Sequence, residues 1–211
     1  MPDAETLALM AAVALAMGLT PGPDMLFCFA MGVEKGPRGA VAASAGIGLG
    51  LVVHVALAIL GVAGLVAASP AAFEAIRWAG AGYLLWLAWK AFTAPPTLLE
   101  APDGAAPRGE LSAVFWKGTL TCLTNPKLLL FFLAFLPQFV KPDAGNVPLQ
   151  MLVLSLIFIT PGSLINTAVG VSGGGLGRLM RRHPGWVKAQ NRIVGGVFAA
   201  LALRLALAGR G

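Results

Sequence analysis

The sequence predicts an all-α integral membrane protein with six transmembrane helices, arranged as two inverted three-helix repeats in which the first and fourth helices are broken. Three observations carry this expectation. Of 211 residues, 57% are hydrophobic and only 11% charged. A water-soluble domain carries about a quarter charged residues, so this chain lacks the polar surface to cover a water-facing globule. Six apolar stretches are each long enough to cross about 30 Å of hydrocarbon, for which roughly 20 helical residues suffice. Prolines interrupt the first and the fourth of these stretches at corresponding places.

The spans are expected at about 5–32, 39–68, 71–93, 112–140, 148–172 and 190–208. The first carries Thr20-Pro21-Gly22-Pro23-Asp24, and the second has a small face of Ala42, Gly46 and Gly50. That face, like Gly18 and Gly22 on the first span, serves a homodimer contact or close packing inside one bundle equally well. The third span runs through Trp78, Tyr83, Trp86, Trp89 and Lys90, whose last members read as interfacial anchors. Segment 94–111, with Pro95, Pro96, Pro102 and Pro107, reads as a cytoplasmic linker between the repeats at about 5–93 and 112–208. The fourth span carries Asn125-Pro126-Lys127, and the fifth carries Thr160-Pro161-Gly162, a third candidate break, followed by Asn166 and Thr167. Residues 1–211 thus form a single transmembrane domain.

The net charge of +6 would suggest nucleic acid in a soluble chain, but in a membrane chain it reports orientation, and no nucleic-acid partner is expected. Lys35, Arg38, Lys90, Arg108, Lys117, Arg178, Arg181, Arg182, Lys188 and Arg192 fall on one side of a six-span arrangement, against Arg77, Lys141 and Arg210 on the other. The positive-inside rule makes the first side cytoplasmic and puts both termini outside, which in a bacterial inner membrane is the periplasm. The loop from Arg178 to Lys188 suits contact with anionic lipids. The first basic residue, Lys35, follows an apolar run of spanning length, so that run is expected to be a retained span rather than a cleaved signal.

Proline lacks an N–H and clashes with the preceding turn, so the first span should consist of two half-helices, the second starting at Pro23. Asn125-Pro126 repeats that grammar in the fourth span, because asparagine is a preferred N-cap and proline a preferred first residue. Asp24 lies 11 residues before Lys35, and Lys127 lies 10 after Lys117. At about 1.5 Å per residue, both charges sit some 15 Å from the cytoplasmic markers, near the midplane. An ionised side chain there costs at least about 2.5–3.5 kcal/mol, which favours a polar cavity and a functional role. The expected relationship is an Asp24–Lys127 pair in the empty protein. A zwitterion would replace it, giving its ammonium to Asp24 and its carboxylate to Lys127 and the Asn125-capped helix end. Asp24 is the first candidate for carrying a coupled proton. His54 is the second, its alternative role being a hydrogen-bonded packing residue.

These residues resemble the LysE/RhtB family of bacterial amino-acid exporters. The resemblance rests on Thr20-Pro21-Gly22-Pro23-Asp24-Met25-Leu26, on Gly80-Ala81-Gly82-Tyr83-Leu84-Leu85-Trp86-Leu87-Ala88-Trp89-Lys90, and on Asn125-Pro126-Lys127 followed by Phe131-Phe132-Leu133-Ala134-Phe135-Leu136-Pro137-Gln138-Phe139. It implies a secondary exporter, not an enzyme, that moves amino acids outwards using the proton gradient. It also implies a substrate-binding site formed by Thr20, Pro21, Gly22, Pro23, Asp24, Asn125, Pro126 and Lys127. Two competing readings use the same architecture. A thiol-electron carrier would need Cys28 and Cys122 beside equivalent breaks, but they lie five residues after Pro23 and four before Pro126. A metal-ion exporter would have only Asp24, His54 and the two cysteines as strong ligands in the spans, at no recognised spacing, so neither a metal nor a cofactor is expected.

Overall fold

The computed structural model describes residues 1–68, 70–94, 110–141, 144–172 and 184–207, and among the described residues the ordered elements are all helical. The linker at 95–109, Ser69, the basic loop through 183 and the last four residues lie outside them. Helix α1 spans Ala4–Leu19 and is started by Asp3, whose carboxylate accepts the Thr6 N–H at 2.9 Å. It stops at Thr20 because neither Pro21 nor Pro23 can donate to the preceding turn. Helix α2, Pro23–Ala68, bends at Gly36, whose φ of 69° lies in the left-handed region that glycine enters freely, immediately before Pro37. Helix α3 is Pro70–Thr93 and α4 is Leu111–Leu123.

After Asn125 the chain resumes as α5, Pro126–Leu130, then loosens into a π-helical turn at Phe131–Phe135 and tightens into a 3-10 turn at Leu136–Phe139. The expected continuous span to 140 is therefore irregular in its second half. Pro137 cannot donate to the carbonyl of Leu133, so regular α-helix cannot pass that point undisturbed. Helix α6 covers Val147–Val171 and α7 covers Pro184–Leu207. Helix α7 begins six residues before the expected 190, with proline at its start, where a missing N–H costs nothing.

The third candidate break is not formed: α6 continues through Thr160, Pro161 and Gly162. The Thr160 hydroxyl donates to the Leu156 carbonyl at 2.8 Å, one residue before the Ile157 carbonyl that Pro161 leaves without an N–H, and membrane helices tolerate an internal proline of this kind. By length and composition, Pro23–Gly61 and α6 can each cross a membrane, and α4 with Pro126–Phe139 forms a third such unit bent by 52°. The outward faces are apolar, with Leu60, Trp89, Leu164 and Ile193 all exposed, as lipid requires and water would not favour.

Helix α2 is the centre of the bundle, packed by α4 and α6, while α3 packs on α7 and α1 on α6. Burial of apolar area does not drive helix association in lipid, so close approach and interhelical hydrogen bonds carry it. The Ser44 and Thr167 hydroxyls are 2.6 Å apart between α2 and α6, and the Thr119 hydroxyl on α4 donates to the Gly46 carbonyl at 3.0 Å. The small face of α2 is thus used inside the bundle, with Gly46 and Gly50 against α4.

At the N-terminal end of α1, Lys141 forms an ion pair with Asp3, and the chain's terminal ammonium donates to the Ala144 carbonyl at 2.7 Å. The hydrogen bonds from Lys141 and then Thr6 hold the Asp3 carboxyl well below the ordinary 3.8. A depressed carboxylate stabilises the fold fully above its unfolded value and loses that contribution as the pH falls towards its folded value. Asp3→Asn is therefore expected to lower the thermal midpoint slightly at pH 7, with the difference from wild type shrinking below about pH 4. Parallel melts in detergent at neutral and acid pH check this.

Candidate functional site

The two breaks face each other across the bundle. Asn125 caps α5 by accepting the Lys127 N–H at 3.0 Å, with Pro126 in the first turn. From there the Lys127 side chain crosses to the end of α1, where its ammonium donates to the carbonyls of Thr20 at 3.2 Å and Met17 at 3.3 Å. Gln190 on α7 donates to the neighbouring Leu19 carbonyl at 2.8 Å, and the Thr20 hydroxyl donates back to Ala16 at 2.7 Å. A helix end leaves its last carbonyls without intrahelical partners and attracts cations. Here side chains from two other helices supply the missing donors.

The expected direct pair between Asp24 and Lys127 is not formed, because the carbonyls freed by the Pro21 break take the ammonium instead. Asp24 is 7% exposed at the start of α2, and its Oδ1 accepts no hydrogen bond. The Asn125 amide, 2% exposed, acts on that carboxylate more strongly than Lys127 and His54 do, although neither Asp24 Oδ1 nor Asn125 Nδ2 completes a hydrogen bond of full geometry. Such groups are rare in folded proteins and mark places where a water, ion or ligand group belongs.

Three cavities bear on the breaks and the helices around them. The largest, about 690 Å³, is lined by Thr20, Pro21, Gly22, Pro23, Asn125, Pro126 and Lys127, together with Lys90, Gln190 and Asn191. A second, of about 40 Å³, is lined by Asp24 and Asn166 and shares Thr20 and Lys127 with the first. Beyond it a phenylalanine layer closes the bundle: Phe158, on the wall of that small cavity, stacks on Phe131 at 3.9 Å, and Phe131 meets Phe135 at 5.3 Å. Phe135 and Phe139 then border a third cavity of about 120 Å³ beside Thr6 and Lys141. The first two cavities adjoin at Thr20 and Lys127, and packed phenylalanines link the wall of the small cavity to that of the third.

Of the site residues expected from sequence, all but His54 line one of the first two cavities. His54 is buried in the α2/α4 contact, with Nε2 donating to the Cys122 carbonyl at 3.1 Å and the ring stacked on Phe132 at 5.8 Å. Sequence reasoning missed the carbonyls of Met17 and Thr20, which have no side-chain signature, and Gln190 and Asn191. Two adjacent amides near the start of an apolar helix were the available signal. Beside the anchor reading of the last residues of the α3 aromatic run, Tyr83, Trp86 and Lys90 form part of a cavity wall, with the Lys90 ammonium 4.2 Å from the Trp86 ring centre. Cys28 and Cys122 are free and fully buried, and among the described residues no three His, Cys, Asp or Glu side chains gather as metal ligands would.

A sequence model of the LysE type translocator family matches residues 15–209. The chain belongs to the LysE translocator family. Relatives of this LysE translocator include a leucine efflux protein of Klebsiella pneumoniae, 31% identical over 89% of this chain and 88% of its own. A homoserine/homoserine lactone efflux protein of Salmonella typhimurium is 32% identical over 91% of each chain, and a membrane protein of Vibrio cholerae is 32% identical over 92% of this chain and 93% of its own. No solved structure matches. Translocators and efflux proteins of this family are transporters, so the two broken helices and the cavities between them are to be read as parts of a membrane translocator.

Proposed function

We propose that this translocator is a secondary active exporter that moves a neutral amino acid out of the bacterial cytoplasm across the inner membrane, driven by the proton gradient. Substrate binds between the two broken helices, on Thr20, Pro21, Gly22, Pro23, Asn125, Pro126 and Lys127, and Asp24 carries the proton. The observation behind this reading is the junction of the two breaks at Lys127, which stands between a large cavity and the small one that Asp24 lines. Relatives named for leucine and homoserine efflux support an amino acid as cargo. Neutral cargo follows from charge: the described wall of the large cavity carries Lys90 and Lys127 and no acid, which suits a carboxylate and repels a second ammonium.

Six spans in two inverted three-helix repeats fit the packing. Exchanging the halves of such a repeat turns the contact of α1 with α7 into one of α3 with the fourth span. Both contacts exist, the second through Phe131–Phe135, while α3 and α7 pack on each other as the exchange requires. By the positive-inside rule the mouth beside Lys90 opens to the cytoplasm, and the N-terminus and Lys141 lie together at the periplasmic end.

The test is mass spectrometry of the medium from bacteria fed mixed dipeptides, comparing overexpression with an empty vector. Selective appearance of a neutral amino acid is expected. Release of lysine or arginine in its place would contradict the charge argument, and no difference from the vector for any amino acid would remove the exporter reading.

A further inference from the structure

The carbonyl oxygens of Met17 and Thr20 already hold an ammonium, which Asp24 Oδ1 does not. They lie at the negative end of α1, a helix of 16 residues, and both accept from one ammonium. Thr20 and Lys127 border the large cavity as well as the small one, whereas Met17 and Asp24 border only the small one; the Lys127 ammonium nevertheless reaches the Met17 carbonyl from the same position in which it meets that of Thr20. At about 40 Å³ that inner space holds one or two waters and cannot admit an amino acid. A substrate arriving through the large cavity therefore meets the end of α1 before it can meet Asp24.

We propose that the Met17 and Thr20 carbonyls are the site for the substrate's α-ammonium group, and that the Lys127 ammonium occupies this site in the empty protein as a tethered stand-in. The inference rests on the amino-acid exporter reading and assigns the ammonium to backbone oxygens, leaving Asp24 free for the proton. When substrate enters, its ammonium replaces that of Lys127 on the two carbonyls. The released Lys127 then pairs with the substrate carboxylate, beside the buried Asn125 amide. Charge stays balanced, since the zwitterion brings one charge of each sign. Gly22 makes the parked position available: a Cβ there would lie 3.0 Å from Lys127 Nζ and 3.5 Å from Cε, where the side chain must shift. A carboxylic acid without an amino group cannot displace Lys127, so the stand-in also works as a filter.

A tethered group competes at a high local concentration, so removing it should strengthen the binding of a bare ammonium. The probe is propylamine, titrated by calorimetry into purified protein. Lys127→Met is expected to bind it at least about tenfold more tightly than wild type, whereas Lys127→Arg, which keeps a cation, should not. Gly22→Ala retains every charge and should give a smaller gain in the same direction, which covers the case in which Lys127→Met fails to fold. Unchanged or weaker propylamine binding in Gly22→Ala, and in Lys127→Met where it folds, overturns the carbonyl site. If the wild type nevertheless exports an amino acid, the exporter reading stands without it. Absence of amino-acid export overturns that reading and this inference together.

Discussion

Asp24→Asn is expected to reduce proton-driven efflux to the level of the empty vector while leaving the protein folded and in the membrane. Asparagine has nearly the same shape and cannot carry a proton through a transport cycle. The position is 7% exposed, and Oδ1 accepts no hydrogen bond, so the fold does not depend on that oxygen for a contact. The groups facing the carboxylate are Lys127 from α5, His54 further along α2, Asn125 at the second break, and the thiols of Cys28 and Cys122. Of these, Lys127 is engaged by two carbonyls and His54 by the Cys122 carbonyl. Asp24 is left as the buried acid with no backbone carbonyl or cation bonded to its Oδ1, and under the proposed mechanism that leaves the oxygen free to load and release a proton. Exchange of labelled amino acid down its own gradient should survive, since it requires no net proton movement. Efflux at the wild-type rate from Asp24→Asn would take the proton role away from this residue. Loss of both efflux and exchange would make Asp24 a binding group instead.

The breaks were legible in the sequence because proline has a fixed mechanical meaning: Pro21 ends α1, Pro23 starts α2, and Asn125-Pro126 caps and starts α5. Their meeting was legible too, from the matched depth of Asp24 and Lys127. What Lys127 touches was not. Its partners are backbone oxygens, exposed by the same proline break, and side-chain reading looks for a carboxylate where a helix end serves as well. The fifth span shows the opposite error. Thr160-Pro161-Gly162 has the composition of a break, yet a single proline inside a helix packed against α1 and α2 costs too little to open it. The π and 3-10 turns at Phe131–Phe139 had a signal in Pro137, which a reading by hydropathy passes over, and only the geometry shows that Phe131, Phe135, Phe139 and Phe158 pack on one another.

Gly46→Ala is expected to be among the most damaging single methyl additions in the bundle, alongside Gly32→Ala, whereas the same change at Gly48 on α2 should help. A Cβ at Gly46 would lie 1.9 Å from the Phe115 carbonyl oxygen and 2.8 Å from its carbon, both backbone atoms that no rotamer change can move. Helices α2 and α4 would have to separate. Gly46, Gly50 and His54 follow one another at intervals of four along the same face, so separation also stretches the Thr119 bond to Gly46 and draws His54 from Cys122. Overpacking of this kind costs about 1–3 kcal/mol or more, against a helix-propensity gain for alanine of at most about 1 kcal/mol. At Gly48 a Cβ meets nothing within 4 Å, so only the gain remains. The expected result is a lower thermal midpoint in detergent and reduced membrane yield for Gly46→Ala, with Gly48→Ala unchanged or more stable. Because Cys122 and Asn125 stand at the same end of α4, the displacement should reach the second break and lower efflux further than the loss of protein alone. Equal midpoints for the two variants would show that α2 and α4 do not cross this closely, and that the break at Asn125 is positioned by something other than their contact.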